Sequence, residues 1–191
     1  MQVEATPDGY LGSDFVVQAE HPAIAELVAD LRGEHALDEE LARSAFEWVR
    51  DQVAHSYDSQ NPRVTLSASE VLMHRTGLCF GKSHLLAAVL RSAGIPTGFC
   101  YQRLSLGGSY VLHGLIAVYM NGVWHRQDPR GNKPGISTEF SLRGERLAYS
   151  PVHERGEVDY ARIYLQPAPV VISAFDGATN MLAVQLPSRL D

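Results

Sequence analysis

One stretch constrains this chain more than any other: GLCFGKSHLLAAVLRSAGIP, residues 77–96. From Leu85 to Leu90 every residue is apolar, which leaves no polar face, and Gly94 followed by Pro96 is a stop signal. A helix that is apolar all round is a central, buried one. Upstream, Ser67-Ala68-Ser69-Glu70 has the spacing of a capping box and predicts a short helix through about Arg75, ended by Thr76-Gly77. Cys79 is thereby placed after a sharp turn, in the first turn of the buried helix. Free backbone N–H groups and the positive end of the helix dipole favour a thiolate there. A helix terminus contributes only about 0.3–1 kcal/mol, so a nucleophilic thiol also needs an imidazolium partner.

The hairpin VLHGLIAVYMNGVWHRQDPRGNK, residues 111–133, selects that partner from eight histidines. Asn121-Gly122 between two strand-like runs predicts a two-residue turn with Met120 opposite Val123. In this register His113 faces Arg130 and is the diagonal neighbour of Asp128 on one face. His125 falls on the opposite face by strand parity. His74, Cys79 and His84 do not line up on a helix and match no usual zinc spacing, so no metal site is read. His55 and His153 have no evident partner. Cys79, His113 and Asp128 are then the parts of a nucleophile, base and orienter system.

At these residues the chain resembles the transglutaminase-like superfamily of papain-fold cysteine enzymes, in particular its compact bacterial members. The resemblance runs from about Leu41 to Lys133, through FEWVRDQVAHSYD, the cysteine block, the histidine strand and Asp128-Pro129 in family order. It implies Cys79 as nucleophile, His113 as base and Asp128 as orienting acid. Two features depart from the family: Gly114-Leu115 follows the histidine without the usual aromatic, and the oxyanion tryptophan of animal transglutaminases has no match. Trp48 falls in the apolar stripe Leu41, Ala45, Trp48, Val49 and reads as core. Gln52 and Tyr57 are the candidates for a second oxyanion donor beside the Cys79 backbone N–H.

With 191 residues and 45% hydrophobic content, one domain spanning 1–191 is expected, with core motifs in 41–133 and an elaboration in 134–191. A net charge of −6 with dispersed Lys and Arg argues against nucleic acid. No apolar run suggests a membrane span or a signal peptide. Two cysteines, Cys79 and Cys100, suggest free thiols in a reducing compartment, the cytoplasm by default. No cofactor is implied, and oligomeric state is not legible.

Helices are predicted from Pro22 to Gly33, with Ile24, Leu27, Val28 and Leu31 on one stripe, and from about Asp38 to Tyr57. Strands are predicted at about 98–106 and in the hairpin. Residues 134–160 read as a polar excursion that could cover the cleft, and 168–186 as a final helix or strand pair broken near Asp176-Gly177. The fold class is α+β, a papain-like transglutaminase-core arrangement with the cysteine helix packed on a small antiparallel sheet. The chemistry expected is acyl transfer on an amide or peptide substrate through a thioester, with hydrolysis ahead of transamidation. Arylamine acetyl transfer uses a similar constellation but lacks a further domain here, and a papain-fold binding scaffold would be marked by a missing triad member.

Overall fold

The structure, a computed structural model, describes residues 1–33 and 37–190. In chain order, a short strand β1 (Gln2–Val3) precedes helix α1 (Pro22–Arg32) and helix α2 (Asp38–Gln52). Strand β2 (Ala54–His55), helix α3 (Ala68–His74) and strand β3 (Thr76–Gly77) lead into helix α4 (Cys79–Ser92). The long strands β4 (Thr97–Leu106) and β5 (Ser109–Met120) follow, then β6 (Val123–Gln127), the short β7 (Val158–Asp159) and β8 (Arg162–Ile163), and helix α5 (Pro169–Ser173). The architecture is α+β.

Local chemistry explains most boundaries. Pro22 opens α1, whose first turn is capped by the His21 ring accepting from the Ala23 N–H at 3.2 Å, and Gly33 closes it at φ 43°. In α3 the Ser67 hydroxyl accepts from the Glu70 N–H at 3.4 Å and the Glu70 carboxylate accepts from the Ser67 N–H at 3.0 Å. Both halves of the capping box are therefore made. Arg75, in the left-handed conformation (φ 52°, ψ 32°), ends that helix one residue ahead of the predicted Thr76-Gly77 turn.

Helix α2 stops five residues short of its predicted end at Tyr57. The reason is tertiary. Ala54 and His55 leave the helix to pair in parallel with Thr76 and Gly77. The carbonyls stranded at the end of α2 are taken up by Lys82 from α4, whose Nζ donates to Arg50 O at 3.0 Å and to Val53 O at 2.5 Å. A cation is the favoured partner for the negative pole of a helix.

Helix α4 is buried from Cys79 through Arg91 and is the centre of the core. Leu85, Leu86 and Leu90 are fully buried, each contributing about 1.5–3 kcal/mol of apolar transfer. Its polar residues are buried as well and satisfied from elsewhere in the chain. Arg91 donates to Thr97 O, Gly12 O and Leu165 O at 2.6–2.8 Å, and His84 Nδ1 meets Leu66 O at 2.8 Å.

The main sheet is antiparallel in the order β6-β5-β4-β7. Met120 pairs with Val123 across Asn121 (φ 54°) and Gly122 (φ 80°), the primed two-residue turn that the sequence predicts. Side chains alternate between two clusters. Phe99, Tyr101, Leu112, Ile116 and Val118 join the core around α4, whereas Cys100, Leu115 and Ala117 pack with Tyr10 and Ile163 on the far side. The segment 134–160 buries Thr138 and Phe140 and adds β7 to the sheet edge. Among the described residues beyond 168 there is no strand pair: α5 spans five residues and a 3-10 turn lies at Met181–Ala183. Among the described residues no helix is long and apolar enough to cross a membrane.

Candidate active site

Cys79 is the first residue of α4, preceded by the extended Leu78, so its thiol stands at the end of the helix where N–H groups are unspent. Strand β3, paired in parallel with β2, delivers the chain to this point. Cys79 is 7% exposed, His113 4% and Asp128 0%. Strand β5 brings its backbone against the start of α4, and the Gly114 N–H donates to Cys79 Sγ at 3.5 Å. This approach requires glycine: a Cβ at Gly114 would stand 2.5 Å from Phe80 Cδ1.

His113 Nε2 lies 2.8 Å from Asp128 Oδ2, and the same ring also makes a side-chain hydrogen bond with Cys79. Burial disfavours charge on His113. The negative charges of Asp128 and Cys79 nevertheless hold its pKa well above the ordinary histidine value. Burial likewise opposes ionisation of Asp128, and His113 together with backbone N–H donors outweighs it and lowers the carboxyl pKa. Those donors are Arg130 N to Oδ1 at 3.1 Å and Ala148 N to Oδ2 at 3.0 Å. The arrangement favours a carboxylate and an imidazolium beside the thiol.

A second layer ties the loops of the site together. Arg130 makes a two-point pair with Asp58 at 2.6 and 3.1 Å and donates to the Tyr149 hydroxyl at 3.2 Å. Tyr149 meets the His113 ring edge-on, centroids 5.0 Å apart. Lys133 Nζ adds a third bond to Asp58 at 2.7 Å. Desolvation works against that carboxylate, but the hydrogen bonds from Arg130 and Lys133 hold its pKa far below the usual range.

These residues open onto a cavity of about 410 Å³ whose lining includes Tyr57, Cys79, His113 and Tyr149. The two oxyanion candidates separate here. Tyr57 lines the cavity, and burial and the nearby Cys79 raise its phenol pKa, so it remains a donor. Gln52 is exposed at the last turn of α2 and lies outside the cavity lining. Trp48 is half-buried, with the Arg75 guanidinium 4.1 Å over its ring, and is also outside the cavity. His55 lines the cavity, with its pKa pushed down to about 3 by burial and then by Arg130. His125 pairs with Val118 away from the cavity. Cys100 is buried in β4, and burial pushes its thiol up to about 12. Both cysteines are free, and among the described residues no His, Cys, Asp and Glu group could hold a metal.

Sequence reasoning missed Gly114, Ala148 and Tyr149. Gly114 carried a signal, a small residue directly after the base. Ala148 and Tyr149 sit in the excursion after Lys133 and carried none.

Residues 25–129 match the family model of the transglutaminase-like superfamily. No curated protein matches the sequence. Among solved structures, a proposed cysteine protease of Cytophaga hutchinsonii shares 19% identity, with a TM-score of 0.53 over 63% of this chain and 40% of that one. The periplasmic domain of TgpA from Pseudomonas aeruginosa shares 23% identity, with a TM-score of 0.47 over 63% of this chain and 46% of that one. The chain thus spans less than half the length of these two structures.

Proposed function

For a chain that belongs to the transglutaminase-like superfamily and its cysteine-dependent chemistry, we propose hydrolysis of an amide or peptide bond through a thioester on Cys79. The observation that carries this reading is the buried chain of contacts Cys79, His113, Asp128, with His113 Nε2 2.8 Å from Asp128. Cys79 Sγ attacks the carbonyl carbon, and the charge that develops on oxygen is met by the Cys79 backbone N–H and the Tyr57 hydroxyl. As the intermediate collapses, the carbon–nitrogen bond breaks and the His113 imidazolium protonates the leaving amine. Neutral His113 then takes a proton from water, which attacks the thioester and releases acid and thiolate. Asp128 holds the ring in one orientation and stabilises its charge throughout.

Hydrolysis is favoured over transamidation because an amine must outcompete water at about 55 M, which demands a bound and largely dehydrated acceptor. Neither aromatic that would help exclude water is in place: Leu115 stands where an aromatic usually follows the base and its small neighbour, and Trp48 lies outside the cavity lining. We further propose the cytoplasm as compartment, on the two unpaired thiols.

The test has two readouts. Mild iodoacetamide followed by peptide mapping should label Cys79 and spare Cys100. Glutamine and peptide amides, supplied with a primary amine in millimolar excess, should yield free acid and ammonia or amine. Predominant amine adduct by mass spectrometry would make the protein a transamidase. An inert Cys79 with no turnover would make it a scaffold.

A further inference from the structure

The cavity over Cys79 is lined by three side-chain cations besides His113, namely Arg130, Lys133 and Arg155, and by two carboxylates, Asp58 and Glu157. Each carboxylate already accepts three hydrogen bonds. Asp58 accepts two bonds from Arg130 and one from Lys133. Glu157 accepts from the Ser105 N–H at 3.0 Å, the Ser105 hydroxyl at 2.5 Å and the Val152 N–H at 2.8 Å. The cations are not all spent. Lys133 shares its single carboxylate with Arg130 and keeps 39% of its side chain exposed. Arg155 is exposed, and among the described residues its guanidinium has neither a hydrogen-bond nor an ion-pair partner. Glu154, in the same turn, does not line the cavity.

Between these charges the wall is apolar, formed by Leu104, Val111 and Leu186. A carboxylate entering the cavity therefore meets unspent N–H donors and one surplus positive charge. An ammonium meets only carboxylates that already accept three hydrogen bonds each, and it shares them with Arg130, Lys133 or Ser105. We propose that this cavity selects substrates carrying a carboxylate beside the scissile amide, with an apolar group against Leu104, Val111 and Leu186, and that Lys133 and Arg155 are the specificity-determining residues. The proposal rests on the hydrolase reading for its substrate but not for its charge preference.

Two measurements keep these apart. The first compares kcat/KM for matched fluorogenic peptides bearing Glu, Gln or Lys next to the cleaved bond, each with an amidated C-terminus, and a Gln peptide with a free C-terminus. The anionic peptides should be faster by about fivefold, the upper range for one solvent-exposed ion pair, and the advantage should shrink at high salt. Which anionic peptide gains distinguishes a side-chain from a terminal carboxylate. The second needs no turnover: the ratio of Cys79 alkylation by iodoacetate to that by iodoacetamide, normalised to glutathione. This ratio should fall in the Lys133→Gln/Arg155→Gln double variant, where the imidazolium is unchanged. A ratio untouched by the double variant, or a preference for the Lys peptide, overturns the proposal. A ratio that falls while no peptide is cleaved preserves the charge preference and removes the hydrolase reading.

Discussion

Asp128 reaches His113 diagonally across a hairpin, Oδ2 to Nε2 at 2.8 Å, from a position with no solvent exposure at all. A buried carboxylate is tolerable only when its lone pairs are met. Asp128 meets that condition with His113 and two backbone N–H groups, one from its own turn and one from Ala148, twenty residues on. The C-terminal excursion therefore helps complete the site that the hairpin begins.

Replacing His113 with Ala should abolish turnover, and Asp128→Asn should lower kcat by about 10²–10⁴, since an amide cannot stabilise the imidazolium. Asp128 raises the His113 pKa, so its neutral replacement should move the alkaline limb of the pH–rate profile to lower pH. His125→Ala, on the other face of the hairpin, should leave kcat/KM within a few-fold. If His125→Ala is the inactive variant and His113→Ala survives, the site has been misplaced.

Gly114→Ala tests the contact between β5 and the start of α4. The added Cβ would meet Phe80 Cδ1 at 2.5 Å and Phe80 Cε1 at 3.1 Å, so the ring must yield. Overpacking of this kind costs about 1–3 kcal/mol. Urea denaturation should show that loss, and Cys79 alkylation should slow as the Gly114 N–H is drawn from Sγ. Adding Phe80→Leu should recover part of the stability. A Gly114→Ala protein of unchanged stability would show that the strand and helix are not held this tightly.

Lys82 couples stability to pH. Burial lowers its pKa to about 7, against 10.5 for an ordinary lysine. Above pH 7 the unfolded chain thus binds a proton that the folded chain has released, so this residue makes stability rise with pH through the window from about 7 towards 10. The raised pKa of His113 works in the opposite sense from its unperturbed value upward, so the two contributions oppose each other between pH 7 and 9. Cys100 acts in the opposite sense only above its unperturbed value of 9. From pH 7 to 9 the urea midpoint of Lys82→Met should rise less, or fall more steeply, than that of the unaltered protein, and its stability at pH 7 should be lower, since Arg50 O and Val53 O lose their donor. An identical slope in the variant would assign the effect to another group.

Where local chemistry dominates, the sequence alone was enough. The capping box of α3, the proline start of α1, the start of α4 at Cys79 and the Asn121-Gly122 turn are decided by neighbours within a few residues. The hairpin register then carries His113 and Asp128 to one face, because a two-residue turn and a period of two leave no other choice. The end of α2 was decided from far away, by Lys82 and the pairing of Ala54-His55 with Thr76-Gly77. The apolar run of α4 marked it as buried, but not that Lys82, His84 and Arg91 would be buried with it, since each is satisfied by carbonyls remote in the chain. Ala148, Tyr149 and the charges around Asp58 belong to the same class. Their partners are 19 to 75 residues away, a separation at which no periodicity or spacing records who will meet whom, and only the folded chain brings them into hydrogen-bond range.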